Sequence, residues 1–483
     1  MLCRYFILLM LIAGLSACAV NPVTGQRDFV LMSESEELAL GRNHSKQVMK
    51  QYRAYPDVAL QGYIQSVGNK LAKVGHRTNL FYRFTLLDST EVNAFALPGG
   101  YIYITRGLLS YLNSEAELAA VLGHELGHVT ARHSVRQHSL STATSIIGGL
   151  VTAASGVREV GQLSQLLGTG IVKGYGREHE LEADGLGVEY LVKAGYPASA
   201  MRQVISILKN QELFDKQLAR EQGREPRVYH GVFASHPDND TRLQEVLSRT
   251  VDHVRVTLPR QDETFLKRLV GLTYADSAQD GVIKGRTFYH TGLNFKINFP
   301  KGWLIKNKQS SVVAMPRAND AFFQLSMEDR SQKSTPRKFL RAKLGSAKVL
   351  SEQPLTVAGN VGHSLLVKAK TPYGVGMARV SVVFIGQRAF LFYAAVKKSS
   401  EFKRFDKQFL ASIRSLATLT RADKARAKPL NIQLTRLGSG SRSLNSIIKR
   451  SPISHHAEEQ IKLLNNIFST GRLKSGDLIK IVR

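Results

Sequence analysis

Cysteine is almost absent from this chain: Cys3 and Cys18 are the only two among 483 residues. That scarcity excludes a disulfide framework. Long apolar runs are missing too. The N-terminal run Tyr5–Leu15 falls short of the about 20 apolar residues that a membrane-spanning helix needs. There is no repeat at a solenoid period and no long low-complexity tract. No phosphate-cradling or dinucleotide loop occurs, and no nucleic-acid signature. Acidic residues are scarce in the second half. Residues 260–483 hold 14 Asp and Glu against 40 Lys and Arg, a net +26, whereas residues 19–259 hold 24 against 25. One half is neutral and the other strongly basic, which implies two parts with different neighbours. A basic surface attracts nucleic acid, anionic lipid or acidic wall polymer alike. Charge does not choose among them.

What is present describes a folded protein. Hydrophobic residues make up 43% and charged residues 22% of the chain, a globular balance, and its length implies two or three domains. At the N-terminus, Arg4 precedes the apolar run, and Ser16, Ala17 and Cys18 follow it. This is the layout of a signal peptide over 1–17. Leu15-Ser16-Ala17-Cys18 resembles the bacterial lipobox, which implies lipidation of Cys18 and a membrane anchor. Cleavage and lipidation would then leave no thiol. Ala19, where Gram-negative lipoproteins kept at the inner membrane carry Asp, implies the periplasmic face of the outer membrane. An exported protein meets little nucleic acid, so no such partner is expected.

Local signals order the rest. Ser33 with Glu36 opens a helix over 33–51, and a second runs from Val58 to Val74. β-branched and aromatic residues predict strands at Phe81–Leu87, Val92–Ala96 and Tyr101–Thr105, with a turn at Pro98-Gly99-Gly100. Ser114 with Glu117 is a second capping box, opening an amphipathic helix that carries Leu118, Val121, Leu122, Leu126 and Val129. Residues 139–175 are rich in small residues; they read as a lid, a lipid-facing surface or two buried helices. Residues 178–194 are helical, closed by Gly195. Beyond Leu258 the composition changes. Residues 285–418 alternate strand and helix patterns as an α+β module, 420–430 read as a basic linker, and 431–483 as a small terminal piece.

The chemistry concentrates in His124-Glu125-Leu126-Gly127-His128. Residues four apart share a helix face, so both imidazoles can reach one zinc ion. Glu125, rotated away, is placed to hold a water and accept its proton. A catalytic zinc takes a third protein ligand. The metzincin pattern is excluded because Ala131 and Ser134 stand at its glycine and histidine positions, with His133 one residue out of register. A carboxylate from Arg177-Glu178-His179-Glu180-Leu181-Glu182-Ala183-Asp184 is the alternative.

Here the chain resembles the gluzincin peptidases that include the CAAX prenyl proteases, the HtpX heat-shock proteases and periplasmic outer-membrane-assembly proteases. Their Glu-x-x-x-Asp is matched by Glu180 and Asp184. Asn21-Pro22-Val23-Thr24-Gly25-Gln26, Val92–Gly100, and Ser235-His236-Pro237 with Arg242 extend the likeness over about residues 19–255. The resemblance implies one Zn2+ per chain on His124, His128 and Glu180, with Glu125 and Asp184 catalytic. Asp184 either orients a ligand histidine or donates a proton. Glu182 is the second choice for the third ligand; Glu178 and Glu189 read as surface charge. His236 is a further candidate ligand that would latch the site shut. Arg242, His236 and His230 are candidate oxyanion donors, and substrate would add as a strand along Asn93–Ala96.

The fold class implied is α+β: a mainly helical zincin protease domain with a small sheet over 18–258, then two smaller parts. Phe295–Trp303 resembles the opening of PsbP-like modules, and Leu464–Val482 the end of a LysM-like wall-binding unit. The expected function is a zinc-dependent endopeptidase of the bacterial envelope acting on misfolded or stalled proteins. The basic half would contact peptidoglycan or anionic lipid. The alternative is a chaperone-like assembly factor with a latched site; a wall-anchored adaptor is a third reading.

Overall fold

A computed structural model describes residues 18–142, 176–226, 242, 262–308, 310–330, 334–469 and 472–483. The chain forms two compact units, residues 1–272 with 431–483, and residues 273–430. Residues 1–17, most of 139–175, His230 and His236 lie outside the described residues.

In the first unit, Ser33 caps the helix Glu34–Gln51: its hydroxyl accepts from the Glu36 N–H, while the Glu36 carboxylate accepts from the Ser33 N–H. Asp57 caps Val58–Ala72. Three strands follow, with Tyr101–Thr105 in the centre, parallel to Arg83–Leu87 and antiparallel to Ala94–Leu97. Two of these start later than the sequence pattern implied. Phe81 is exposed and outside the ladder, and Asn93 is bound instead by the Thr105 hydroxyl, which accepts from its N–H. Pro98-Gly99-Gly100 turns the chain, with φ of +75° and +91° at the two glycines.

The helix Glu115–Thr130 carries the His-Glu-x-x-His motif. Two expectations need correction. Ser114 accepts from the Glu117 N–H, but the Glu117 carboxylate reaches back one residue further, to the Asn113 N–H, so the capping box is half formed. The helix is also not amphipathic: every residue from Ala116 to Thr130 is buried. A helix buried on every side belongs inside the domain, its polar groups held by partners there. Its glycines explain how a neighbour comes so close. A Cβ on Gly127 would stand 3.0 Å from the Ala183 carbonyl, and one on Gly123 would stand 3.4 Å from the Gly187 carbonyl. This seam of small residues sets Arg177–Lys193 against the motif helix.

The second unit is built on a seven-stranded antiparallel sheet, in the order Leu304–Lys308, Ser311–Met315, Ala321–Asp329, Arg388–Val396, Gly374–Ile385, Asn360–Thr371 and Lys348–Val357. Strand alternation divides its side chains between two buried clusters. Phe323, Phe390 and Phe392 meet Phe402, Phe405 and Phe409 from the helix Phe402–Arg414. Leu365, Val367, Val380 and Val382 meet Leu340 from Pro336–Leu344. Residues 421–426, read above as linker, are a short helix. Thr420 and Asp423 cap it reciprocally, and Lys296 donates to the Asp423 carboxylate at 2.7 Å. The Ala-rich composition that suggested a linker is equally a helix-forming one.

Residues 431–483 contribute the antiparallel pair Leu430–Arg436 and Leu478–Val482 and the helices Leu444–Lys449 and Ala457–Leu464. They join the compact unit of the motif helix. Among the described residues no helix is long and apolar enough to cross a membrane.

Candidate metal centre and its relatives

The seam between the motif helix and Arg177–Lys193 brings His124, His128 and Glu180 together, all buried. Among the described residues, these three form the group whose ligand atoms lie within 4.8 Å of one another. The two Nε2 atoms are 3.0 Å apart, and the Glu180 oxygens stand 3.5 Å from that of His124 and 3.4 Å from that of His128. Tetrahedral ligands at about 2.0–2.1 Å from one ion are separated by about 3.3 Å. The donor set therefore fits zinc in both chemistry and spacing.

Each imidazole is fixed from behind. The Asp184 carboxylate lies 2.7 Å from His124 Nδ1, which donates to it and so leaves Nε2 with its lone pair toward the ion. Asp184 is itself gripped by Arg242, whose Nε and Nη2 donate at 2.7 and 2.8 Å. Burial opposes the charged form of Asp184, but Arg242 and then His124 outweigh it and hold the carboxyl well below the usual range. Arg242 was a candidate oxyanion donor. Two of its nitrogens are committed to Asp184, and Nη1 faces Glu180 at 3.3 Å.

His128 is backed by His133, which the sequence placed one residue out of the metzincin register and gave no role. Its Nδ1 lies 2.7 Å from Nδ1 of His133, and His133 Nε2 lies 3.0 Å from the Glu182 carboxylate. The hydrogen bonds assign one direction: His128 donates to His133, which donates to Glu182. Arg136 donates to the same Glu182 oxygen at 3.0 Å. Burial raises the Glu182 carboxyl, yet His133 and Arg136 together bring it down to about 2. His179 stacks on His133 with ring centres 4.3 Å apart. Burial first, and His133 next, lower His179 to about 4. Glu182, the second choice for the third ligand, is thus committed to His133 and Arg136 and lies outside the His124, His128 and Glu180 group. Two residues along a helix rotate a side chain by about 200°.

His133 escapes periodicity because the helix has ended. Arg132 adopts φ +56°, which turns the chain back beneath His128. A buried network anchors that turn: Arg132 Nε donates to Glu37 at 2.8 Å, and Arg77 Nη1 donates to the other Glu37 oxygen at 2.7 Å. The signal available in the sequence was a third histidine five residues past the motif, on a chain that had to reverse.

Glu125 is buried beside His124, and its charge acts on Arg242. The edge strand Ala94–Leu97 packs against the motif helix and has no strand on its outer side among the described residues.

Residues 59–250 match the model of peptidase family M48. Metalloprotease YcaL of Escherichia coli K12 is 30% identical over 190 residues, covering 38% of this chain and 69% of YcaL. The chain belongs to peptidase family M48. The beta-barrel assembly-enhancing protease of Yersinia pestis is 30% identical over 267 residues, covering 53% of this chain and 52% of that protein. The M48 chain thus spans about half the length of that relative. Cyanobacterial PsbP from Synechocystis is covered over 96% of its length by 29% of this chain, at 14% identity and a TM-score of 0.23. That score is too low to carry an assignment.

Proposed function

We propose that the protein is a zinc-dependent endopeptidase of the bacterial envelope that removes misfolded or stalled envelope polypeptides. The observation that carries the reading is the convergence of His124, His128 and Glu180 at tetrahedral spacing. Zinc held there would supply Lewis acidity to a scissile carbonyl and lower the pKa of a water. Glu125 accepts the water's proton and returns it to the leaving amine nitrogen. Asp184 and His133 hold the two ligand imidazoles in the tautomer that leaves each Nε2 lone pair available. An extended substrate adds to the edge strand Ala94–Leu97, its backbone completing the unpaired ladder.

The same proposal includes the address: a signal peptide over 1–17, lipidation at Cys18 and the periplasmic face of the outer membrane. The peptidase domain covers 18–258. Residues 273–430 hold 28 Lys and Arg against 9 Asp and Glu. That charge supports contact with peptidoglycan or anionic lipid.

The test is Glu125→Gln. Zinc content should stay at the wild-type level while cleavage of an unfolded polypeptide falls by about 10²–10⁴-fold. Unchanged cleavage would sink the peptidase reading. Rescue of a deletion strain by the same variant would favour a chaperone role instead.

A further inference from the structure

The last strand of the chain buries a lysine in the peptidase unit. Lys480, on Leu478–Val482, is fully buried, and its ammonium donates to the Ser110 carbonyl at 2.6 Å and the Leu112 carbonyl at 2.7 Å. Both carbonyls lie in the turn that joins the short helix Arg106–Leu109 to the motif helix. Glu117, in the first turn of the motif helix, is near enough for its charge to act on Lys480, and its carboxylate accepts from the Asn113 N–H at 2.6 Å. Burial pushes the Glu117 carboxyl up and the Lys480 ammonium down, each partly offset by the other's charge.

The rest of the C-terminal piece is arranged to hold this lysine in place. The Asn465 side chain accepts from the Lys480 N–H at 2.8 Å and donates to the Lys480 carbonyl at 2.9 Å, fixing the strand on both sides. Tyr111, within the same turn, donates to Gln460 at 3.1 Å. Ser469 donates to Asn210 at 2.6 Å, and the Phe468 ring meets Phe214, both on the helix Ser199–Gln222.

Burying an ammonium and a carboxylate together costs more than filling the same volume with apolar groups. A methionine would suffice to fill the space. What a lysine adds is direction: its N–H donors fix two backbone carbonyls at the point from which the motif helix starts. His124 lies two turns along that helix from Glu117, so a shift of the turn is carried along a rigid rod to the metal ligands.

We propose that Lys480 is a positioning residue for the metal centre, and that residues 431–483 complete the peptidase unit rather than serve as a separate tether. The proposal rests on the peptidase reading above.

The test uses the full-length chain with E117Q, K480M and the double variant E117Q/K480M, beside wild type and E125Q. The double variant removes both buried charges, so neither is left unpaired. It should keep its melting temperature and zinc content while kcat falls by about tenfold or more and KM stays within about twofold. E117Q alone, in which Lys480 still bonds both carbonyls, should keep most of kcat. A double variant that cleaves at the wild-type rate overturns the proposal. So does one that no longer folds, because Lys480 would then serve the fold and not the site. A wild type that cleaves no better than E125Q would instead sink the peptidase reading itself.

Discussion

The two units differ in their balance of charge and in what that charge surrounds. In residues 19–259 the sequence is nearly neutral, yet charged side chains are buried and paired. Glu37 meets Arg77 and Arg132, and Asp184 meets Arg242. In residues 273–430 the balance is strongly basic, yet the core is phenylalanine and aliphatic, with ion pairs such as Arg337–Glu352 at the surface. Net charge therefore says little about where the chemistry is. Buried charge is costly unless paired; the second unit buries Arg379 beside Asp406, while in the first such pairs include those around the metal centre and the helix that carries it. Surface charge is cheap and sets which polymers the protein approaches.

If that contrast holds, substitutions in the first unit should cost activity, and those in the second should cost stability. Loss of proton transfer in Glu125→Gln is the largest effect expected. Next come Asp184→Ala and His133→Ala, which each remove the hydrogen bond that orients one ligand imidazole. Both should lower zinc affinity or kcat/KM by about 10–100-fold, read by competition with a chelator and by peptide cleavage. A His133→Ala chain with wild-type affinity and rate would show that the His128 relay is packing alone.

Phe409→Ala tests the other side. Its ring is fully buried against Phe323 and Phe405, and its loss should destabilise the second unit by about 3–5 kcal/mol in denaturant unfolding. The cleavage rate per folded molecule should not move. The smallest effect concerns acid. Hydrogen bonds from Arg337, with help from His363 and Arg341, lower the Glu352 carboxyl from its ordinary 4.5 to about 2. A depressed folded-state value means that its stabilisation is complete above pH 4.5 and is lost as pH falls toward 2. Glu352→Gln should flatten that part of the acid unfolding profile of the second unit.

Much of the peptidase unit was readable because its signals are local. Ser33 and Ser114 mark helix starts through their own backbone bonds, and His124 and His128 share a face by spacing alone. Glu180 and Asp184 followed from resemblance, and the Gly123/Gly127 seam is the physical reason they meet the histidines. His133 was hidden because a left-handed residue, Arg132, reverses the chain, and no periodicity carries across such a turn. Lys480 was hidden for a different reason. Its partners, Ser110 and Leu112, are backbone carbonyls about 370 residues away, and a carbonyl leaves no mark in sequence. The short helix at 421–426 was misread because basic, Ala-rich sequence suits a linker and a helix equally.

Elemental analysis of the purified full-length chain and of Glu180→Gln goes most directly to the claim that two helices share one ion. The wild type should carry about one zinc per chain, and Glu180→Gln should lose most of it during dialysis against a weak chelator. A Glu180→Gln chain that keeps a full zinc complement would contradict the account.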